Sequence, residues 1–211
     1  MGSPEDDFRN YFTARLLLLL ESKPLFNDKL YNKAISKIIN VYFNDYPDHM
    51  DGFSPKFFAN DVIRFWKTMC LNYEQKRNIP KLNEKAKLKA KQKNLKLKFS
   101  RLTTCYSLLC CLRKGEKITP EDLKKLISLT PLQRLDHTSK VDEEIKTITN
   151  EMLKLYSWFL DVTGDKSDEV IKWFKSSENQ KIAKEKAEEY HDLLYKLIER
   201  TSKDLLKFYT L

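Results

Sequence analysis

A long amphipathic helix is predicted by residues 57–76, which read FFANDVIRFWKTMCLNYEQK. Apolar side chains recur in this stretch at three- and four-residue steps, the spacing that aligns them on one face of an α-helix. We expect the inward residues to be Phe58, Val62, Phe65, Met69 and Leu71. The same spacing continues through most of the chain, and the alternating patterns of strands are rare. The sequence therefore predicts an all-α fold.

Helix starts can be located on both sides of this stretch. Asn27 is suited to cap a helix, and Thr119 and Thr130 are each followed by proline, which favours the first helical position. Glycine or proline separates most of the predicted helices. The helix after Asn27 is expected to bury the positions that recur every four residues, namely Leu30, Ala34, Ile38 and Tyr42.

These signals predict a multi-helix bundle of about seven to nine helices. We expect residues 1–4 to be a remnant of recombinant expression, because the chain opens with Met-Gly-Ser. Residues 5–211 then form a single helical domain, which can be divided into two lobes, 5–128 and 129–211. Neither an internal repeat nor a Ser/Gly-rich linker interrupts it.

Composition excludes several classes of protein. The 211 residues include only four glycines, too dispersed to form the glycine-rich turn of a P-loop or a dinucleotide-binding fold. The longest apolar run, residues 16–20, is too short to span a bilayer, so no membrane partner is expected. The four cysteines and three histidines lack zinc-ligand spacing. We therefore expect no metal site in this chain, and free thiols in a cytoplasmic protein.

Positive charge is concentrated between residues 81 and 98. This segment carries eight lysines and a single acid, Glu84, in a chain of net charge +9. Such a run can simply form a solvated helix face. Like charges at helical spacing repel, however, and an anionic partner would relieve that repulsion. Phosphate, nucleic acid or an acidic surface of another domain are the candidate partners.

A polar stripe lies within the long helix itself. Asn60, Arg64 and Lys67 share one helical face, and Asp61 flanks it. Asp61 can form a structural pair with Arg64 or with a lysine of the next helix. Alternatively, the stripe contacts a phosphate, with Arg64 as a bidentate donor and Lys67 as a point charge. If the following helix packs antiparallel, it adds further cations to one electropositive groove: Lys93, Lys96 and Arg101.

Four segments together resemble a known family. The segment from Asn60 to Cys70, NDVIRFWKTMC, is similar to a signature of bacterial nucleotidyltransferase-domain proteins of the polymerase-β-like superfamily. The segments RLLLLLES (15–22), KNLKLKFSR (93–101) and TPLQRL (130–135) resemble further stretches of the same proteins, and the segments occur in the expected order. The resemblance covers more than half of the chain and ends well before its last helix.

The resemblance implies that catalysis belongs to a different domain from the one that this chain forms. In that family, transfer of the nucleotide belongs to an N-terminal domain, where a G-S turn and a D-x-D pair of carboxylates hold Mg²⁺ and the nucleoside triphosphate. This chain has neither motif in a usable context, so it looks like the helical C-terminal portion without its catalytic domain.

The function that follows is an accessory, substrate-binding domain that docks on its own N-terminal nucleotidyltransferase domain. We expect no catalytic residue, metal or cofactor in this chain. The predicted phosphate-binding residues are Asn60, Asp61, Arg64, Lys67, Lys93, Lys96 and Arg101. The alternative is an independent basic helical module that binds nucleic acid or a protein partner.

Overall fold

The computed structural model describes residues 11–48, 50, 53–78, 83–113 and 117–206, with the side chains of 204–206 excepted. The helical pattern also predicts a first helix that begins at Phe8 and a last helix that ends near Tyr209. Both of these ends, like residues 1–4, lie outside this part of the chain. Within it, ten α-helical segments are present, with these bounds: α1 Phe12–Leu20, α2 Asp28–Tyr42, α3 Lys56–Arg77, α4 Glu84–Lys96, α5 Leu102–Cys111, α6 Pro120–Ser128, α7 Pro131–Ser139, α8 Glu143–Thr163, α9 Ser167–Trp173 and α10 Ser177–Leu206.

The predicted all-α bundle is confirmed. A π-helical stretch, Leu97–Arg101, joins α4 to α5 without a break, so the ten segments form nine helices in the described part of the chain. The last of these, α10, is kinked at Ser202, where the backbone is non-helical. A short 3₁₀ turn, Tyr46–Asp48, precedes α3, and the described residues contain no strand. Among these helices, none combines the length and the apolar character that crossing a membrane requires.

Several helices begin at the predicted positions, each with a side-chain cap. Asn27 accepts a hydrogen bond from the backbone N–H of Leu30 at the start of α2. Thr119 and Thr130 each form a complete capping box, with Asp122 and Gln133 as the reciprocal partners. These side chains satisfy backbone N–H groups that have no acceptor within the first helical turn. The caps therefore determine where α2, α6 and α7 begin.

Two hydrophobic clusters form the core, and both include side chains of α5. The first cluster joins α1, α2, α3 and α6, and the second joins α4, the π-helical stretch and α7–α10. Helix α5 supplies Leu108 and Leu109 to the first cluster and Cys110 to the second. Leu88 and Leu95 of α4 pack in the second cluster. The division into lobes at residue 128 stays a prediction.

Two predictions of inward residues are wrong. Leu71 is 71% exposed and Leu30 is 63% exposed. Leu71 follows Met69 by two positions and therefore lies about 200° around the helix from it. A strict four-residue step drifts by about 40° each time, so Leu30 lies about 80° around α2 from Ile38 and about 180° from Ile39, which are both buried.

Candidate functional site

Asp61 is the centre of a polar cluster that links α1, α2 and α3. Its Oδ2 atom accepts hydrogen bonds from the Tyr42 hydroxyl at 2.7 Å and from Arg15 Nη2 at 3.0 Å. The side chains of Arg15 and Asp61 are only 6% and 17% exposed. Burial and the neighbouring Asp61 carboxylate raise the pKa of Tyr42 far above its ordinary value. The cluster is thus a largely buried ion pair with a neutral hydroxyl beside it.

Arg64 is a secondary partner of Asp61. Its Nη1 atom lies 3.7 Å from Asp61 Oδ1, which is an ion pair but too long for a hydrogen bond. The guanidinium lies over the Phe12 ring, 3.9 Å from the ring centroid, and the side chain is 57% exposed. The other two members of the predicted stripe, Asn60 and Lys67, are exposed on the outer face of α3. The structure therefore brings Asp61 and Arg64 together, with Arg15 as the principal partner.

Arg101 lies elsewhere, in a groove where it forms an ion pair with Glu21. The groove has a volume of about 400 Å³ and lies between the end of α1, the π-helical stretch, the end of α6 and the start of α7. Lys23 crosses one wall and donates a hydrogen bond to the Ser128 carbonyl at 2.6 Å. The hydroxyl-bearing residues of the lining are Ser22, Ser100, Thr104 and Thr130.

The π-helical stretch presents Arg101 to this groove. A π-turn takes in one residue more than an α-turn and so rotates the following side chains around the helix axis. Phe99 stays fully buried, whereas Arg101 is exposed. The Thr103 hydroxyl donates to the Phe99 carbonyl at 2.6 Å, and the Thr104 hydroxyl donates to the Ser100 carbonyl at 2.9 Å. These hydrogen bonds satisfy carbonyls in the stretch where the regular helical pattern is interrupted.

Arg134 stabilises the backbone of two residues that line the groove, Thr104 and Ile127. Its side chain is fully buried, and it donates to the backbone carbonyls of Leu126 at 2.9 Å, Ile127 at 3.1 Å and Thr104 at 3.2 Å. Burial lowers the pKa of Arg134 to about 10. The arginine therefore ties the last turn of α6 to α5 through its fork of N–H groups. Arg134 is not among the residues predicted from the sequence, although an arginine on the apolar face of a short helix was the available signal.

The remaining predicted cations lie on α4. Lys93 and Lys96 are exposed, and neither belongs to the lining of the groove at Arg101. Arg64 and Lys67 do not line it either. The single electropositive groove expected from α3 and α4 therefore does not correspond to this cavity. The assignment of these seven residues to phosphate binding stays a prediction.

No described group of three or more His, Cys, Asp or Glu side chains is arranged to hold a metal ion. The Mg²⁺ and nucleoside triphosphate implied by the resemblance accordingly remain predictions for a separate catalytic domain. A comparison of the chain with protein-family models, curated protein sequences and solved structures finds no match. The resemblance to nucleotidyltransferase-domain proteins thus rests on the four segments of sequence.

Proposed function

We propose that this chain is a helical accessory domain that contacts the nucleotide substrate of a nucleotidyltransferase-like protein. One observation supports the proposal most strongly. Three of the four segments that carry the resemblance are distant in sequence, yet each contributes to the groove at Arg101. They supply Glu21 from segment 15–22, Arg101 from segment 93–101, and Thr130 from segment 130–135. The fourth segment is joined to the first through the pair of Asp61 with Arg15.

The chemistry of the groove suits a nucleotide. The Arg101 guanidinium is 45% exposed and can donate two parallel hydrogen bonds to a phosphate. In the free protein, Glu21 holds this guanidinium in place. When a phosphate binds, the Glu21 carboxylate is released to accept hydrogen bonds from the sugar hydroxyls. Transfer of the nucleotide, with Mg²⁺, would belong to the absent catalytic domain, and the residues of this chain would bind and orient the substrate.

A binding titration tests the groove. The common ribonucleoside triphosphates are titrated into the purified chain, and amide chemical shifts are followed by nuclear magnetic resonance. We expect saturable shifts around Glu21, Arg101 and Thr104. Arg101→Ala should weaken binding by about 1.5–3 kcal/mol, the worth of a hydrogen bond to a charged group. Arg200→Ala is the matched control, because Arg200 is also exposed and also paired with an acid, Glu144, but does not line the groove.

Two outcomes would contradict the proposal. One is an equal affinity for the wild-type chain and Arg101→Ala, and the other is the absence of shifts in the groove. The parental gene provides an independent check on the context. A G-S turn followed by a D-x-D pair encoded upstream of Glu5 supports an accessory domain, whereas a native start near residue 4 favours an independent module.

A further inference from the structure

A second concave site is lined by part of the lysine-rich segment. It is a hollow of about 340 Å³ between α4, the end of α9 and the start of α10. It shares no lining residue with the groove at Arg101. The floor is apolar and includes Leu95 and Phe174. The polar side chains of the lining are Lys91, Asn94, Lys98, Gln180 and Lys184.

The polar side chains converge because of their helical spacing. Lys91, Asn94 and Lys98 are separated by three and four residues, which aligns them along one face that looks toward α10. Gln180 and Lys184 are separated by one helical turn on the facing helix. The two helices thus present cations and amides to a common space.

Gln180 is fixed in orientation. Its Nε2 atom donates to the Phe174 carbonyl at 2.7 Å, and its Oε1 atom accepts a hydrogen bond from the Lys91 ammonium. The Lys91 head group, although exposed, is therefore held at the hollow by this hydrogen bond. A positioned ammonium loses less conformational entropy on binding a ligand than a freely rotating one.

The charges of the hollow are not balanced by its own walls. Three ammonium groups line it, and none of the described lining residues carries a carboxylate. Within the described part of the chain, no ion pair includes Lys91 or Lys98, and Lys184 has only an exposed partner, Glu188, at 3.7 Å. The repulsion between these cations is relieved when an anion enters.

We propose that this hollow binds the phosphate group of a small phosphorylated molecule. The ammonium groups supply the charge for the phosphate, and the apolar floor accommodates an uncharged part of the ligand. The volume lies within the range of about 300–1,000 Å³ that is typical of small-molecule sites. A concave site of this size favours a compact ligand over an extended strand, which would follow the whole lysine-rich face.

Variants on the two facing helices test the proposal separately from the groove. Inorganic tripolyphosphate and ATP are titrated into the chain, and amide shifts are followed at Asn94 and Gln180. We expect Lys98→Ala and Lys184→Ala each to weaken binding about tenfold or more, which is the loss of one charge-assisted hydrogen bond. Lys89→Ala is the control, because this substitution also removes one positive charge from α4. Lys89 is exposed and lies about 200° around the helix from Lys91.

A short single-stranded RNA provides the second arm of the experiment. If the hollow is a small-ligand site, Lys89→Ala leaves binding of ATP within about twofold of the wild type. Equal losses in Lys89→Ala and Lys98→Ala, with RNA bound more tightly than ATP, would assign the whole lysine face to nucleic acid and overturn the proposal. The absence of saturable shifts with every probe would also overturn it. Thermal melts verify that each variant is folded. If Lys98→Ala does not fold, Lys184→Ala still tests the proposal.

Discussion

Replacing Asp61 by asparagine should destabilise the protein strongly, because it breaks a largely buried ion pair. Asp61 receives one hydrogen bond from Arg15 and one from Tyr42, and Arg15 is only 6% exposed. Asp61→Asn keeps the shape but leaves the Arg15 guanidinium buried beside a neutral amide. Breaking a buried pair costs about 3–5 kcal/mol. We expect the lower end of that range, about 3 kcal/mol, because Asp61 itself is 17% exposed.

Arg64→Ala is the matched comparison for this prediction. Arg64 also pairs with Asp61, but at 3.7 Å and with its side chain 57% exposed. An exposed ion pair contributes about 0–1 kcal/mol, so removal of Arg64 should cost about 1 kcal/mol or less. The free energy of unfolding is measured for both variants by urea denaturation with a common slope. Equal losses in the two variants, or a loss below about 1 kcal/mol for Asp61→Asn, would refute the assignment of Arg15 as the principal partner.

Four further predictions concern buried and half-buried side chains. Arg134→Met should lower the free energy of unfolding by about 3–5 kcal/mol, because three backbone carbonyls lose the hydrogen bonds that the buried guanidinium donates, and urea denaturation measures this loss. A thiol reagent should modify Cys70 in the native protein but reach the buried cysteines only on unfolding. Since burial raises the pKa of Cys110 to about 12, stability should fall as the pH rises above about 9, where unfolded thiols ionise first. Burial and the neighbouring Lys98 should hold the pKa of His191 below its ordinary value of 6.5, which a titration followed by nuclear magnetic resonance measures. An anion bound near Lys98 should raise this pKa. An unchanged His191 pKa at saturating tripolyphosphate would place the anion elsewhere.

Local signals in the sequence predicted the helices well. The caps at Asn27, Thr119 and Thr130 depend on residues only three positions away, so the pattern contains all the information that the geometry requires. The buried faces were less predictable, because a small error in helical phase accumulates over successive turns. Leu30 illustrates this drift.

The candidate site was harder to predict, because its contacts are distant in sequence. Asp61 and Arg15 are separated by 46 residues, and Arg101 and Glu21 by 80. The spacing of charges within one helix suggested Arg64 for Asp61, since only local partners can be identified from such a pattern. The π-helical stretch adds a second difficulty: it changes the face on which Arg101 lies, and helical periodicity assumes a constant rotation per residue.

The central proposal, that the groove at Arg101 contacts a nucleotide, is tested most directly by photo-crosslinking. An azido-substituted nucleoside triphosphate is bound to the chain, irradiated, and the modified peptides are identified by mass spectrometry with excess unlabelled nucleotide as the competitor. We expect labelling in peptides that contain residues 20–23, 100–104 or 127–131, and we expect excess unlabelled nucleotide to reduce it. Labelling that competes only at residues 91–98 and 180–187, or labelling that no competitor reduces, would contradict it.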